Sequence, residues 1–288
     1  MAKTLKFSNC VTYADDTTIF ASGNNLRFLY HKVNTDLRTL SQWFNSNSLT
    51  LNVEKSKFII FRSKRKKITL NGKLELNGKN IPKVGNIKFL GVVLDEHLNW
   101  NLHVKYLSNR MRAGNYSLSM VKNILPSQSK RLLYYSNVQS HLMYAISAWG
   151  PMLTLRDKNI LQKLQNKSLK LICNIKNRTR IEPFYKQNNI LKFNDLVKWS
   201  LLKISYKYVN SSLPIRLANM FDLTNHTYMT RNRNNPIVPQ HTTSLYNSSF
   251  LGQAPSLWLN ISRSLKNKTS INAFNRQVKL ELIKGDGI

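Results

Sequence analysis

Asp15 and Asp16 are adjacent carboxylates set between two short β-prone runs, Val11-Thr12-Tyr13 and Thr17-Thr18-Ile19-Phe20. β-Branched and aromatic residues favour strands, and Asp tolerates turn backbone angles, so the pattern predicts strand, tight turn, strand with the acids at the turn. Two carboxylates on one hairpin tip repel each other unless a cation sits between them. A hard cation such as Mg²⁺ takes one or two carboxylates together with substrate phosphates. That is half of what a two-metal phosphoryl-transfer site needs. An exposed Asp-Asp turn is common by itself; the surroundings decide between the two readings.

Several elements are expected to position these acids. Ser22 to Asn25 read as a turn and helix start, followed by Leu26, Leu29, Val33, Leu37, Leu40 and Phe44 at helical spacing. Arg27, Lys32, Asp36 and Arg38 fall off that stripe, and residues 45–48 end the helix. Phe58 to Phe61 reads as a buried strand, Arg62 to Lys67 as a charged connection, and Ile87 to Leu94 as a further strand. Asn71-Gly72 and Asn77-Gly78 are hairpin-turn dipeptides. One small antiparallel sheet with one helix packed on it is the expected result. From Trp100 the pattern turns helical, with helices predicted over 101–123, 127–149, 156–175, 192–210 and 269–284. Residues 222–250, rich in Asn, Thr, Ser and Pro, read as loop or extended chain.

Order and spacing then carry a family resemblance. Tyr13-Ala14-Asp15-Asp16 resembles the catalytic hairpin of reverse transcriptases. Leu40 to Phe44, Leu49 to Asn52, Glu54 to Lys57, Lys88 to Val92 with Asp95, His141-Leu142 and Ala148 to Gly150 follow in the order seen in non-LTR retrotransposons of the jockey kind. The resemblance implies an α+β fold. Residues 1–98 would be a partial polymerase palm, 99–175 a helical thumb-like region, and 176–288 a mainly helical basic extension. It implies RNA-directed DNA polymerisation with Mg²⁺ and deoxynucleotides on a template–primer duplex of RNA and DNA.

By the same resemblance Asp15 would bind both metal ions and Asp16 would support that site. Lys55 is a candidate phosphate contact, against the plain reading of a solvated turn. Phe89, Leu90 and Gly91 resemble the primer grip, where a glycine lets a backbone approach closely; core packing is the plain reading of Phe89 and Leu90. Lys105, Arg110 and Arg112, with Lys122, Lys130 and Arg131, could line a duplex-holding face. His141, Tyr144 and Trp149 read as core.

A complete palm also carries a metal-binding Asp on an earlier strand, and fingers over the nucleotide. Met1 lies only fourteen residues before Asp15, and Asp36, Glu54 and Asp95 offer no obvious substitute. The expectation is the C-terminal part of a polymerase, silent on its own. The alternative is a non-catalytic basic nucleic-acid-binding protein derived from a mobile element.

Charge points the same way. The 288 residues hold 44 Lys and Arg against 13 Asp and Glu, a formal net charge of +31. Such an excess favours polyanionic partners, nucleic acid above all. No run of about 20 apolar residues exists to span a bilayer, and residues 1–9 are too polar for a secretory signal. An intracellular place, nucleus or cytoplasm, is expected, and Lys64 to Lys67 could serve as a nuclear address. Cys10 and Cys173 fit no metal-binding spacing and read as free thiols. The sequons at Asn166 and Asn177 matter only in a secreted protein.

Overall fold

The computed structural model describes residues 4–67, 72–176, 178–219, 236–238 and 243–285. The chain divides into two compact units, Met1–Leu98 and Asn99–Ile288. The first is mixed, the second helical.

In the first unit β1 (Asn9–Tyr13) pairs antiparallel with β2 (Asp16–Phe20), in a register that sets Tyr13 opposite Asp16 and Cys10 opposite Ile19. Alternation puts Cys10 and Ile19 on one face, with Cys10 buried. Val11, Tyr13 and Phe20 share the other face and are exposed. Helix α1 (Leu26–Ser46) follows. Its start is capped by Asn25, whose Oδ1 accepts the N–H groups of Arg27 and Phe28. The predicted apolar stripe faces the core: Leu37 and Leu40 are buried, and Leu26 and Val33 pack on the cluster of Tyr30, Leu37, Leu74, Leu76 and Ile81.

Strands β3 (Leu74–Leu76) and β4 (Lys79–Ile81) are joined by Asn77-Gly78, both at positive φ, the geometry this dipeptide supplies most readily. Asn34 of α1 pins β3: its Nδ2 donates to Lys73 O at 2.9 Å and its Oδ1 accepts from Glu75 N at 3.0 Å. The expected single strand over Ile87 to Leu94 is instead a hairpin, β5 (Asn86–Phe89) and β6 (Val92–Asp95). Leu90 and Gly91 both adopt positive φ and reverse the chain.

Among the described residues the strands form three separate two-stranded sheets rather than one. Phe58 to Phe61 is not a regular strand. Phe58 makes one isolated bridge with Lys83, and Phe61 is exposed. Among the described residues its backbone is held at the two ends, Phe58 N donating to Pro82 O at 3.1 Å and Phe58 O accepting from Val84 N at 2.9 Å, and Arg62 N donating to Glu96 O at 2.9 Å. An apolar run becomes a strand only where a neighbour supplies a continuous ladder. Asn71 lies outside the described residues, so the Asn71-Gly72 turn does too.

The second unit is built on α2 (Asn101–Met120), α6 (Leu155–Cys173) and α8 (Phe193–Val209). Between α2 and α6 the expected continuous helix over 127–149 is broken. It runs as α3 (Ser127–Tyr134), a π-helical turn at Tyr135–Gln139, α4 (Ser140–Met143) and α5 (Ile146–Trp149). Ala145, at φ 49°, makes the break. The π turn lies against Gly114 of α2, where a Cβ would stand 2.6 Å from Asn137 O.

Short helices α7 (Glu182–Gln187), α9 (Ile215–Ala218), α10 (Ser244–Ser248), α11 (Phe250–Asn260) and α12 (Arg263–Lys266) were not expected. The last helix, α13 (Ile271–Lys284), was. Most of the predicted loop at 222–250 lies outside the described residues, but its end is helical. Trp258, Leu265, Phe274 and Val278 from α11 to α13 are fully buried with Leu201 and Leu202 of α8.

Buried polar side chains fix the register around α6. Gln165 Nε2 donates to Tyr134 OH and to Leu191 O, both at 2.9 Å. Ser168 Oγ donates to Asn115 Oδ1 at 2.6 Å. Satisfied networks of this kind reject misregistered packing, because a slip leaves polar atoms buried without partners.

Candidate active-site hairpin and basic helix face

Ala14 and Asp15 form the two-residue turn between β1 and β2, and Asp16 is the first residue of β2. Ala14 takes φ 52°, the left-handed region that costs a non-glycine residue about 1–2 kcal/mol. Both carboxylates are exposed. Neither forms an ion pair within 4 Å among the described residues. The acids thus sit at a strand–turn–strand tip, as the pattern predicted, and are open to solvent.

Asp36 departs from expectation. Predicted off the apolar stripe, it is 1% exposed. Its carboxylate accepts the backbone N–H of Lys6 at 2.9 Å and of Phe7 at 3.0 Å. Burial pushes its pKa up, yet hydrogen bonds from Lys6, Ser8 and Phe7 outweigh that and hold it below the usual carboxylate value. The acid thus clamps the segment leading into β1.

Lys55 is exposed in a turn in which Asn52 Oδ1 accepts its backbone N–H at 3.1 Å. Phe89, Leu90 and Gly91 are half-buried at the β5–β6 turn. Asp15, Asp16, Lys55, Phe89 and Leu90 all line one open cleft of about 2710 Å³ within the first unit; Gly91 does not. A small-molecule pocket typically measures about 300–1,000 Å³. This cleft is larger than that, with apolar walls from Leu26, Leu37 and Ile60.

Glu96 was not anticipated. Its Oε1 lies 3.4 Å from Arg62 Nη2 and 3.6 Å from His97 Nε2, and its Oε2 lies 3.5 Å from Lys83 Nζ. This acid ties the 58–66 segment beside the cleft to the base of β6. Its scarcity in so basic a chain was the available signal. Among the described residues no group of three or more His, Cys, Asp or Glu is placed to hold a metal ion.

Lys105, Arg110 and Arg112 stand exposed on α2 in the second unit. Arg112 Nη1 donates to Asn109 Oδ1 at 2.9 Å, and the Arg110 guanidinium lies 5.5 Å from the Tyr106 ring centroid. Lys130 does not belong with them. It is 2% exposed, and its Nζ donates to Lys122 O at 2.9 Å and Asn174 Oδ1 at 3.2 Å. A long aliphatic stem buries readily when its ammonium finds carbonyl oxygens. Trp149 is core, as expected, stacked on Phe193 at 5.9 Å. Tyr144 is not; it is 54% exposed.

Residues 1–94 match the family described as reverse transcriptase (RNA-dependent DNA polymerase). The chain is similar to RNA-directed DNA polymerases of Drosophila melanogaster mobile elements. It is 27% identical over 164 residues to a Drosophila melanogaster protein described as a probable RNA-directed DNA polymerase from transposon BS. That match covers 56% of this chain and 18% of the relative. Identity is 23% over 201 residues to the RNA-directed DNA polymerase from mobile element jockey of the same organism, covering 69% of this chain and 21% of that one. The chain thus spans about a fifth of the length of the curated relatives it matches. No solved structure matches it. The matched segment ends one residue before Asp95, so it contains the Asp15-Asp16 hairpin, Lys55 and the β5–β6 turn. No helix among the described residues is long and apolar enough to cross a membrane.

Proposed function

We propose that the chain serves RNA-directed DNA polymerisation, with the Asp15-Asp16 hairpin as part of a two-metal nucleotidyl-transfer site. The observation that carries this reading is two unpaired, exposed carboxylates on an antiparallel hairpin tip inside a segment matching the reverse transcriptases. The oxygen-only donors suit Mg²⁺, which completes its shell with water and substrate phosphates. When bound, Mg²⁺ would neutralise charge on the reacting phosphate oxygens. Asp15 and Asp16 would hold the metal at the tip. Lys55 would contact phosphate, and Phe89 to Gly91 would support the primer strand. Lys105, Arg110 and Arg112 would hold the phosphate backbone of template or primer.

Two carboxylates from one hairpin cannot fix two ions about 3.5–4 Å apart. A further acid must join them, so the chain alone is expected to bind template–primer without extending it. The charge of +31 supports that binding on either reading, catalytic or not. An intracellular site of action, in nucleus or cytoplasm, accords with such partners.

The test is a chimera in which the matched segment of the transposon BS polymerase is exchanged for this chain. Primer extension by the chimera, lost on Asp15→Ala with the fold intact by circular dichroism, is the expected result. Extension that survives both Asp15→Ala and Asp16→Ala would overturn the assignment.

A further inference from the structure

Helix α2 presents one face to solvent. Lys105, Asn109, Arg112 and Tyr116 recur there at four- and three-residue spacing, and Leu102 and Met120 lie alongside. Buried positions His103, Val104, Leu107, Met111, Asn115 and Leu118 occupy the opposite side, so the orientation of the helix is settled by packing. The helix contains no Asp or Glu. Lys105, Arg110 and Arg112 form no ion pair among the described residues. Asn109 and Tyr106 orient the two guanidiniums without neutralising them. Tyr116 is 67% exposed and Met120 61%.

We propose that this face binds a single-stranded polynucleotide, with Tyr116 as the platform on which an unpaired base stacks. The inference rests on the polymerase reading and deepens it, by naming the strand state that this helix recognises. Charge complementarity argues for a polyanion: Lys105 and Arg112 lie uncompensated on this face, and the helix has no acid of its own. The aromatic tip argues for unpaired bases. Lys105 and Arg112 stand about 10 Å apart along the axis, and Tyr116 follows about one turn beyond Arg112. Phosphates held at the two cations would run the strand toward the ring. A duplex offers such a ring no free base face, because its bases are already stacked. A single strand offers one at every nucleotide, without sequence preference. Met120, one turn further, extends the apolar surface under the base.

The test measures binding of the full chain to a fluorescein-labelled single strand and to a duplex of equal length, by anisotropy over a salt series. Tyr116→Ala changes no charge, so the electrostatic background is constant. Base–aromatic stacking predicts roughly a 5- to 100-fold loss on the single strand, little change on the duplex, and rescue by Tyr116→Trp. Arg112→Gln should reduce the single-strand salt slope by about 0.7. Equal binding of the single strand by wild type and Tyr116→Ala would overturn the proposal, as would equal losses on both ligands. In either case wild-type binding leaves the polymerase reading standing. Failure of the wild type to bind either ligand would overturn both.

Discussion

The carboxylate of Asp36 accepts the backbone N–H of Lys6 at 2.9 Å, joining α1 to a segment thirty residues earlier. The neighbouring N–H of Phe7 shares the same carboxylate. Strand β1 begins two residues later, so this clamp sets where the strand bearing the acidic turn starts. Hydrogen bonds to a charged group contribute about 1.5–3 kcal/mol each at most, and an orphaned N–H adds its own desolvation cost. Asp36→Ala should therefore lower stability by roughly 2–4 kcal/mol in urea melts. Because the folded pKa is depressed, the stabilisation is present above the unfolded carboxylate value, near 3.8. It is lost as pH falls below that value, and Asp36→Ala should show a flatter pH dependence there.

His103 should make the helical unit sensitive to acid. It is 1% exposed, between Trp100 at 6.2 Å and Trp149 at 5.1 Å, and burial lowers its pKa to about 4. Below its unfolded value of 6.5, the unfolded chain takes up a proton that the folded chain refuses. Stability should fall as pH drops from 6.5 toward 4, by roughly 2–3 kcal/mol at pH 4.5. Denaturant melts at pH 7.5 and 4.5 measure this. His103→Phe should remove most of the difference between the two.

Ala14 holds a backbone angle that glycine adopts freely. Ala14→Gly should leave the hairpin intact and change stability by less than about 1 kcal/mol, since strain relief offsets added chain entropy. Ala14→Val should destabilise it further, because a β-branched side chain crowds the left-handed region. Hydrogen-exchange protection of the β1–β2 amides reports both.

Lys130 and Arg112 should separate folding from binding. Lys130→Ala leaves Lys122 O and Asn174 Oδ1 without their donor, costing about 2–4 kcal/mol of stability. It should leave the salt dependence of nucleic-acid binding unchanged at temperatures where the variant is folded. Arg112→Gln should do the reverse, with stability within about 0.5 kcal/mol of wild type.

The contrast between these residues shows what the chain discloses by itself. Turn dipeptides such as Asn77-Gly78 are legible because their backbone preference is local. The face of α1 is legible because its period is. The Asp15-Asp16 turn is legible on both grounds. Asp36 and Lys130 are not, since their partners are backbone groups brought near only by the fold. Phe58 to Phe61 has strand composition, but pairing depends on a neighbour elsewhere. The break at Tyr144-Ala145 carries no glycine or proline to announce it. The exposed ring of Tyr116 could be placed only once packing had oriented α2.

Most directly decisive is where a divalent ion binds. Mn²⁺ titrated into the ¹⁵N-labelled chain with a template–primer duplex will broaden amide resonances nearest the bound ion. Broadening centred on Asp15 and Asp16, and lost in Asp15→Ala, is the predicted result. Broadening that leaves the hairpin tip untouched and centres elsewhere, at Asp95 and Glu96 for example, would contradict the account.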